Sequence, residues 1–76
     1  MREKVIEVLC EVNSEIGKNL DVDLLAAGII DSFEIVNMVV ELEEAFEIEI
    51  DPELVIPENF QKVDAIVKLV ESIVGE

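Results

Sequence analysis

Apolar residues fall at helical intervals in three separate stretches, and this constrains the fold more than any other feature of the chain. Val5, Leu9, Val12 and Ile16 recur every three or four positions, with Glu3, Glu7, Glu11 and Glu15 as the opposite rail. On a helix this places one apolar stripe against a core and one acidic stripe in water. A first helix is expected from residue 2 to 16, with Gly17 as its C-terminal cap. Ile35, Val36, Val39, Leu42 and Phe46 give a second apolar face, beginning after Asp31. Asp31, with Glu34 three residues on, makes a capping-box pattern. Val63, Ile66, Val67, Val70, Ile73 and Val74 give a third face, which ends at Gly75.

The intervening segments are loops or short turns. Residues 18–31 are irregular, with Leu20, Leu24, Leu25, Ile29 and Ile30 as expected anchors into the core. Long structured loops in small domains are often functional. Glu47–Asp51 reads "EIEID" and alternates as a strand does, but it is short, lacks partners and precedes Pro52, so it reads as loop. Pro57–Phe60 reads as a single helical turn with proline at its first position. No repeat or low-complexity segment breaks the pattern. The expected fold is all-α: a small bundle of three main helices plus one short helix.

At 76 residues the chain is expected to form one domain, 1–76. Half of the residues, 51%, are hydrophobic, enough for a small core. Domains of this size bury only about 60% of their unfolded surface. There is no apolar run long enough to span a membrane. The opening "MREKVIEVLCEV" has charges every few residues, unlike the unbroken apolar stretch of a signal peptide. Cys10 is the one cysteine and cannot form an internal disulfide. A reducing, cytoplasmic setting is therefore expected.

Charge narrows the partners. Nineteen acids face five bases, for a net charge of −14. All the bases (Arg2, Lys4, Lys18, Lys62 and Lys68) lie outside the interval from Asn19 to Gln61. That interval holds Asp21, Asp23, Asp31, Glu34, Glu41, Glu43, Glu44, Glu47, Glu49, Asp51, Glu53 and Glu58. Such a surface repels nucleic acid and anionic lipid. It attracts basic protein patches and speeds their encounter. Solubility alone also favours acids, but it accounts less well for a base-free interval of this length.

Catalytic and metal chemistry find little here. With no histidine, neither a Ser-His nor a Cys-His pair can form. One cysteine is too few for an ordinary zinc site. The run from Asp21 has Leu25 and Ala26 where a calcium loop needs a ligand and a glycine. No glycine-rich phosphate cradle is present. The chain is expected to be a non-catalytic protein with no metal site.

Ser32 stands out against this background. In "GIIDSFE" it follows Asp31 at the start of the second helix, where Asp31 already supplies a cap. A serine hydroxyl is a weak nucleophile without an adjacent base, and this chain has no evident base. A reactive role would need another protein to supply one, making Ser32 a modification site. A phosphate placed there would meet the free N–H groups and positive dipole end of the helix. Otherwise Ser32 is a plain polar residue of a first turn.

The surrounding segment, "GIIDSFEIVNMVVELEEAFEIEI", resembles the attachment segment of acyl carrier proteins. In that family an Asp-Ser pair opens the second helix and the serine receives the 4′-phosphopantetheine arm of coenzyme A. Here the pair is Asp31-Ser32, and Glu43-Glu44-Ala45-Phe46 with Ile48 and Ile50 forms the matching helix end. The likeness extends over nearly the whole chain, to "VDAIVKLVESI" as the last helix. Three positions depart from it. Phe33 stands where Leu or Met is usual, Asn37 where an acid is common, and Lys62 where Ser or Thr often caps the last helix. The "GIID" lead-in is similar to D-alanyl and other free-standing aminoacyl carriers, although those tend to have Met-Gly after the serine.

The resemblance implies an acyl or aminoacyl carrier, with cargo held as a thioester on 4′-phosphopantetheine at Ser32, beside Asp31. It implies a phosphopantetheinyl transferase, a loading ligase and a downstream acyltransferase or synthase with basic patches as partners. Phe33, Glu34, Asn37, Val40, Glu41 and Glu44 are the expected partner-binding residues. A monomer is expected, with no nucleic acid and no membrane insertion. The "GIID" lead-in favours a small aminoacyl or short acyl cargo over a long fatty chain. The β-branched Ile35, Val36 and Val39 would stiffen the core against such a chain; Met38 argues mildly the other way. The other function class in view is an unmodified acidic helical adaptor that binds basic protein partners.

Overall fold

The structure, a computed structural model, describes residues 1–75. Helix α1 spans Arg2–Val12, α2 Ser32–Phe46, α3 Pro57–Phe60 and α4 Val63–Val74. Two 3₁₀ turns, Ser14–Lys18 and Pro52–Leu54, join them. No strand occurs among the described residues, so Glu47–Asp51 is loop, as its length and Pro52 imply. The architecture is the expected all-α bundle of three main helices plus one short helix.

The first helix ends earlier than its periodicity predicts. Its last residue is Val12, and Asn13 is extended, with φ −153° and ψ 110°. The Asn13 side chain accepts the Glu15 amide at 3.0 Å and so starts a fresh 3₁₀ turn. Asparagine competes in this way for backbone groups and favours helix ends over interiors. Ile16 still reaches the core, so the apolar spacing runs unbroken across the interruption. Gly17 does not cap α1, as expected from sequence, but lies within the 3₁₀ turn. Its lack of a side chain matters for another reason: a Cβ there would sit 2.9 Å from Cys10 Sγ.

The core forms where α1 packs on α2 and α4. Val5, Val8, Leu9, Leu42, Phe60, Ile66 and Val70 are buried in it, and no polar side chain among the described residues is. Each fully buried aliphatic or aromatic chain contributes on the order of 1.5–3 kcal/mol. One α2 assignment needs correction, and one residue joins the face. Val36 does not face the core but is 57% exposed, whereas Met38 is fully buried. Apolar side chains surround much of α2, at Ile35, Val36, Met38, Val39, Val40 and Leu42, so spacing alone could not choose the buried stripe. The face that packs is Ile35, Met38 and Leu42. In α4, Leu69 joins Val63, Ile66, Val67 and Val70 in the buried set, while Ile73 is half-buried and Val74 is exposed.

The loop before α2 is built on its own hydrogen bonds. Asp23 Oδ1 accepts the Leu25 and Ala26 amides, and the Leu24 carbonyl accepts those of Ile29 and Ile30. Gly28 makes the reversal at φ 74°, a conformation that costs glycine little. The Leu24 amide donates to the Gln61 carbonyl at 2.6 Å, fastening the loop to the chain just before α4. Leu24 and Ile30 are buried, and Leu20, Leu25 and Ile29 are half-buried. The expected anchors therefore all hold, and they deliver the chain to α2 at a fixed place.

Candidate functional site

The start of α2 holds Asp31, Ser32, Phe33 and Glu34 together, while Asn37, Val40, Glu41 and Glu44 follow along the helix. Asp31 is extended and caps the helix, its Oδ1 accepting the Glu34 amide at 2.9 Å. The Asp31 carbonyl accepts the Ile35 amide. The first two helical amides, those of Ser32 and Phe33, have no acceptor within the helix. Only half of the capping box is made. The Glu34 carboxylate does not return to the Asp31 amide but accepts from Asn13 Nδ2 at 3.0 Å.

Ser32 is exposed, at the first position of α2. Because Asp31 supplies the cap, the serine hydroxyl is not needed for the helix. It takes part in none of the side-chain hydrogen bonds among the described residues. An exposed hydroxyl beside two open amides, at the positive end of a fifteen-residue helix, fits the phosphate of a phosphopantetheine ester.

Beyond Ser32, α2 presents a mixed surface. Phe33 is 74% exposed and Val40 44%. With Val36 they form an apolar edge at positions i, i+3 and i+7, which share one side of a helix. The sequence reading missed Val36, because an apolar residue beside Ile35 passes for core. Asn37 and Glu44 are exposed next to this edge, while Glu34 and Glu41 are half-buried. Val36 and Val40, with Ile50 and Val55 across from them, line an open groove of about 500 Å³. Glu43 holds the far wall of that groove in place, its Oε2 accepting the Ile50 amide at 2.8 Å.

Asn13 is the other residue that sequence reasoning missed. Its Nδ2 donates to Glu34 Oε2 and, at 2.8 Å, to the Ile29 carbonyl. Its type marks a helix end, as its cap on the Glu15 amide shows, but nothing local marks its reach to Ile29 and Glu34, since both lie far along the chain.

No helix among the described residues is long and apolar enough to cross a membrane.

Comparison with known proteins agrees with this geometry. The family described as "Phosphopantetheine attachment site" matches residues 1–70. A D-alanyl carrier protein of Bacillus mycoides is 45% identical over 51 residues, 64% of this chain and 65% of that protein. D-alanyl carrier proteins of Bacillus cereus and Bacillus anthracis are 43% identical over stretches of the same length. The match thus spans a little under two-thirds of these relatives' length, 65%. No solved structure matches the chain. By the extent of the family match, the chain belongs to the phosphopantetheine-binding carrier proteins, whose prosthetic group is a covalently attached 4′-phosphopantetheine.

Proposed function

We propose that Ser32 is the attachment point and that the chain carries a small aminoacyl or short acyl group. The observation that carries this reading is the division of labour at the head of α2. Asp31 caps the helix at 2.9 Å, which leaves the exposed Ser32 hydroxyl without a structural task. In the modification, Ser32 Oγ bonds to the phosphorus at the end of the pantetheine arm of coenzyme A. Adenosine 3′,5′-bisphosphate leaves, and the serine proton passes to a base on the transferase, since this chain has no histidine. When bound, the arm supplies a thiol that holds cargo as a thioester.

The chain's own residues then present that cargo and catalyse nothing themselves. Tethering gives each docked enzyme a high effective concentration of substrate. Phe33, Val36 and Val40 offer an apolar contact, and Asn37, Glu41 and Glu44 offer polar and acidic ones. Together they suit basic partners such as the transferase, a loading ligase and a downstream acyltransferase or synthase. Contacts of this kind speed encounter without demanding high affinity, so the carrier can move between enzymes. The preference for a small cargo rests on the relatives, which are D-alanyl carrier proteins. Phe60, Leu9, Met38 and Leu42 are fully buried, so a long chain could enter the bundle interior between them only by displacing core residues.

Intact mass spectrometry tests the attachment. With transferase, coenzyme A and magnesium, one phosphopantetheine is expected on the wild type and none on Ser32→Ala. Addition at Ser14 or Ser72, or none with several transferases, overturns the reading. For the cargo, a long acyl chain on Ser32 is expected to raise the Tm little above that of the holo form. A gain of several degrees, with shifted core methyl signals in NMR, would mean that the bundle takes the chain in.

A further inference from the structure

We propose that Asn13 is a positioning residue for the attachment site: one side-chain amide clamps the Asp31-Ser32 turn from both sides. The inference rests on Ser32 being the modified residue. Asn13 Nδ2 donates to the Ile29 carbonyl at 2.8 Å, three residues before Ser32. The same nitrogen donates to Glu34 Oε2 at 3.0 Å, two residues after it. Asn13 Oδ1 meanwhile accepts the Glu15 amide at 3.0 Å and starts the 3₁₀ turn. An asparagine can do this because its amide has two donor hydrogens beside an acceptor oxygen.

The geometry explains two irregularities together. The first helix stops at Val12 although its apolar spacing continues, because Asn13 must turn its amide toward the loop and α2. The capping box is half-made because Asn13 holds the Glu34 carboxylate. The clamp is half-buried, as are Ile29 and Glu34, where a hydrogen bond is less open to competition from water. Its effect is to hold one orientation of the Ile30–Phe33 backbone. Without it the turn samples others, and a transferase meets a competent Ser32 in only a fraction of encounters. Loss of that fraction raises the apparent dissociation constant in proportion and leaves the chemical step alone.

Asn13→Ser is the chosen variant, because serine also caps well and keeps the start of the 3₁₀ turn while removing the two donor bonds. On the full chain, steady-state phosphopantetheine transfer is expected to show KM for the carrier raised about fivefold. The value of kcat should stay within about twofold of wild type. A hydrogen bond of ordinary net strength corresponds to a factor of this size. In the unmodified chain, amide exchange at Glu34 and Ile35 should quicken by a similar factor. Asn13→Asp should do the same or more, since it sets a carboxylate against Glu34. Adding Glu34→Gln restores the bond to residue 34 with its polarity reversed but not the one to the Ile29 carbonyl, and should recover part of the protection of those amides. Unchanged KM and unchanged exchange would overturn the inference, as would a lower Tm with neither altered or a fall in kcat at constant KM. Failure of the wild type to be modified at Ser32 would instead remove the attachment reading, and the exchange measurement tells the two failures apart. Should Asn13→Asp not fold, Asn13→Ser decides alone.

Discussion

Replacing Asp31 by alanine separates the cap from the site it stands beside. Asp31 Oδ1 accepts the Glu34 amide at 2.9 Å and so begins a helix that carries Ile35, Met38 and Leu42 into the core. Alanine cannot accept that bond, and loss of an N-cap costs about 1 kcal/mol, within a range of roughly 0.5–2. The loss should stay near the centre of that range. The Ile35 amide still bonds to the backbone carbonyl of residue 31, and Asn13 still holds Glu34. In a domain of this size about 1 kcal/mol moves the Tm by roughly 4–8 °C, which thermal unfolding followed by circular dichroism resolves readily. Asp31→Asn is the control. Asparagine caps as well as aspartate does, and it gives up only the charge–dipole attraction of about 0.3–1 kcal/mol. Removing one negative charge from a chain at −14 offsets part of even that. The asparagine variant should therefore melt clearly above the alanine variant. Equal melting of Asp31→Ala and wild type would refute the cap. An asparagine variant that falls as far as alanine would show that charge, and not the hydrogen bond, is what the helix start needs.

Other expectations follow from the same geometry. Raising sodium chloride from about 0.1 to 1 M shortens the screening length from about 10 to 3 Å and should raise the Tm by several degrees; a flat response would refute self-repulsion as a destabilising force. Gly17→Ala should cost about 1 kcal/mol in urea unfolding, because its Cβ would meet Cys10 Sγ at 2.9 Å. In a Cys10→Ala background the sign should reverse, to a gain of about 0.4–1 kcal/mol from a less flexible unfolded chain. Phe33→Ala, at a side chain 74% exposed, should change stability by no more than about 0.5 kcal/mol. Calorimetric titration of the transferase should nevertheless show weaker binding.

The helices were legible because their signal is local. The α4 positions from Val63 to Val70 and the proline that opens α3 mark their own elements, and both stand where the spacing places them. The Asp31 cap is equally local. What could not be read depends on distant neighbours. Asn13 is itself a local helix-end signal, through its cap on the Glu15 amide, but its bonds to Ile29 and Glu34, sixteen and twenty-one positions away, are not, and Ile16 keeps the apolar period intact across the break. The exposure of Val36 was hidden for a different reason. With apolar residues on most sides of α2, the buried stripe is chosen by where α1 packs, and that is a tertiary fact.

The acidic interval also changes meaning once the backbone is in view. Among the described residues the ion pairs are Arg2 with Asp64 and Lys18 with Glu15, and neither involves an acid between Asn19 and Gln61. Several of those acids instead accept from amides. Asp23 holds the Leu25 and Ala26 amides, Asp31 that of Glu34, Glu43 that of Ile50 and Asp51 that of Glu53, while Glu34 holds the Asn13 side chain. A carboxylate that accepts an amide proton at a turn or helix start does structural work that a lysine cannot do, since lysine has no acceptor. Part of the negative charge is therefore a consequence of building a long loop and its helix starts from short-range caps. The remainder, at Asp21, Glu41, Glu44, Glu47, Glu49, Glu53 and Glu58, has no such side-chain hydrogen bond among those described. Glu44 lies on the α2 surface beside Val40, and Glu41 is half-buried next to it. Surface charge free of structural duties is the portion that can be given to a partner, so charge reversal at Glu44 should weaken docking with little loss of stability, whereas reversal at Glu43 should release the Ile50 loop and weaken the fold itself.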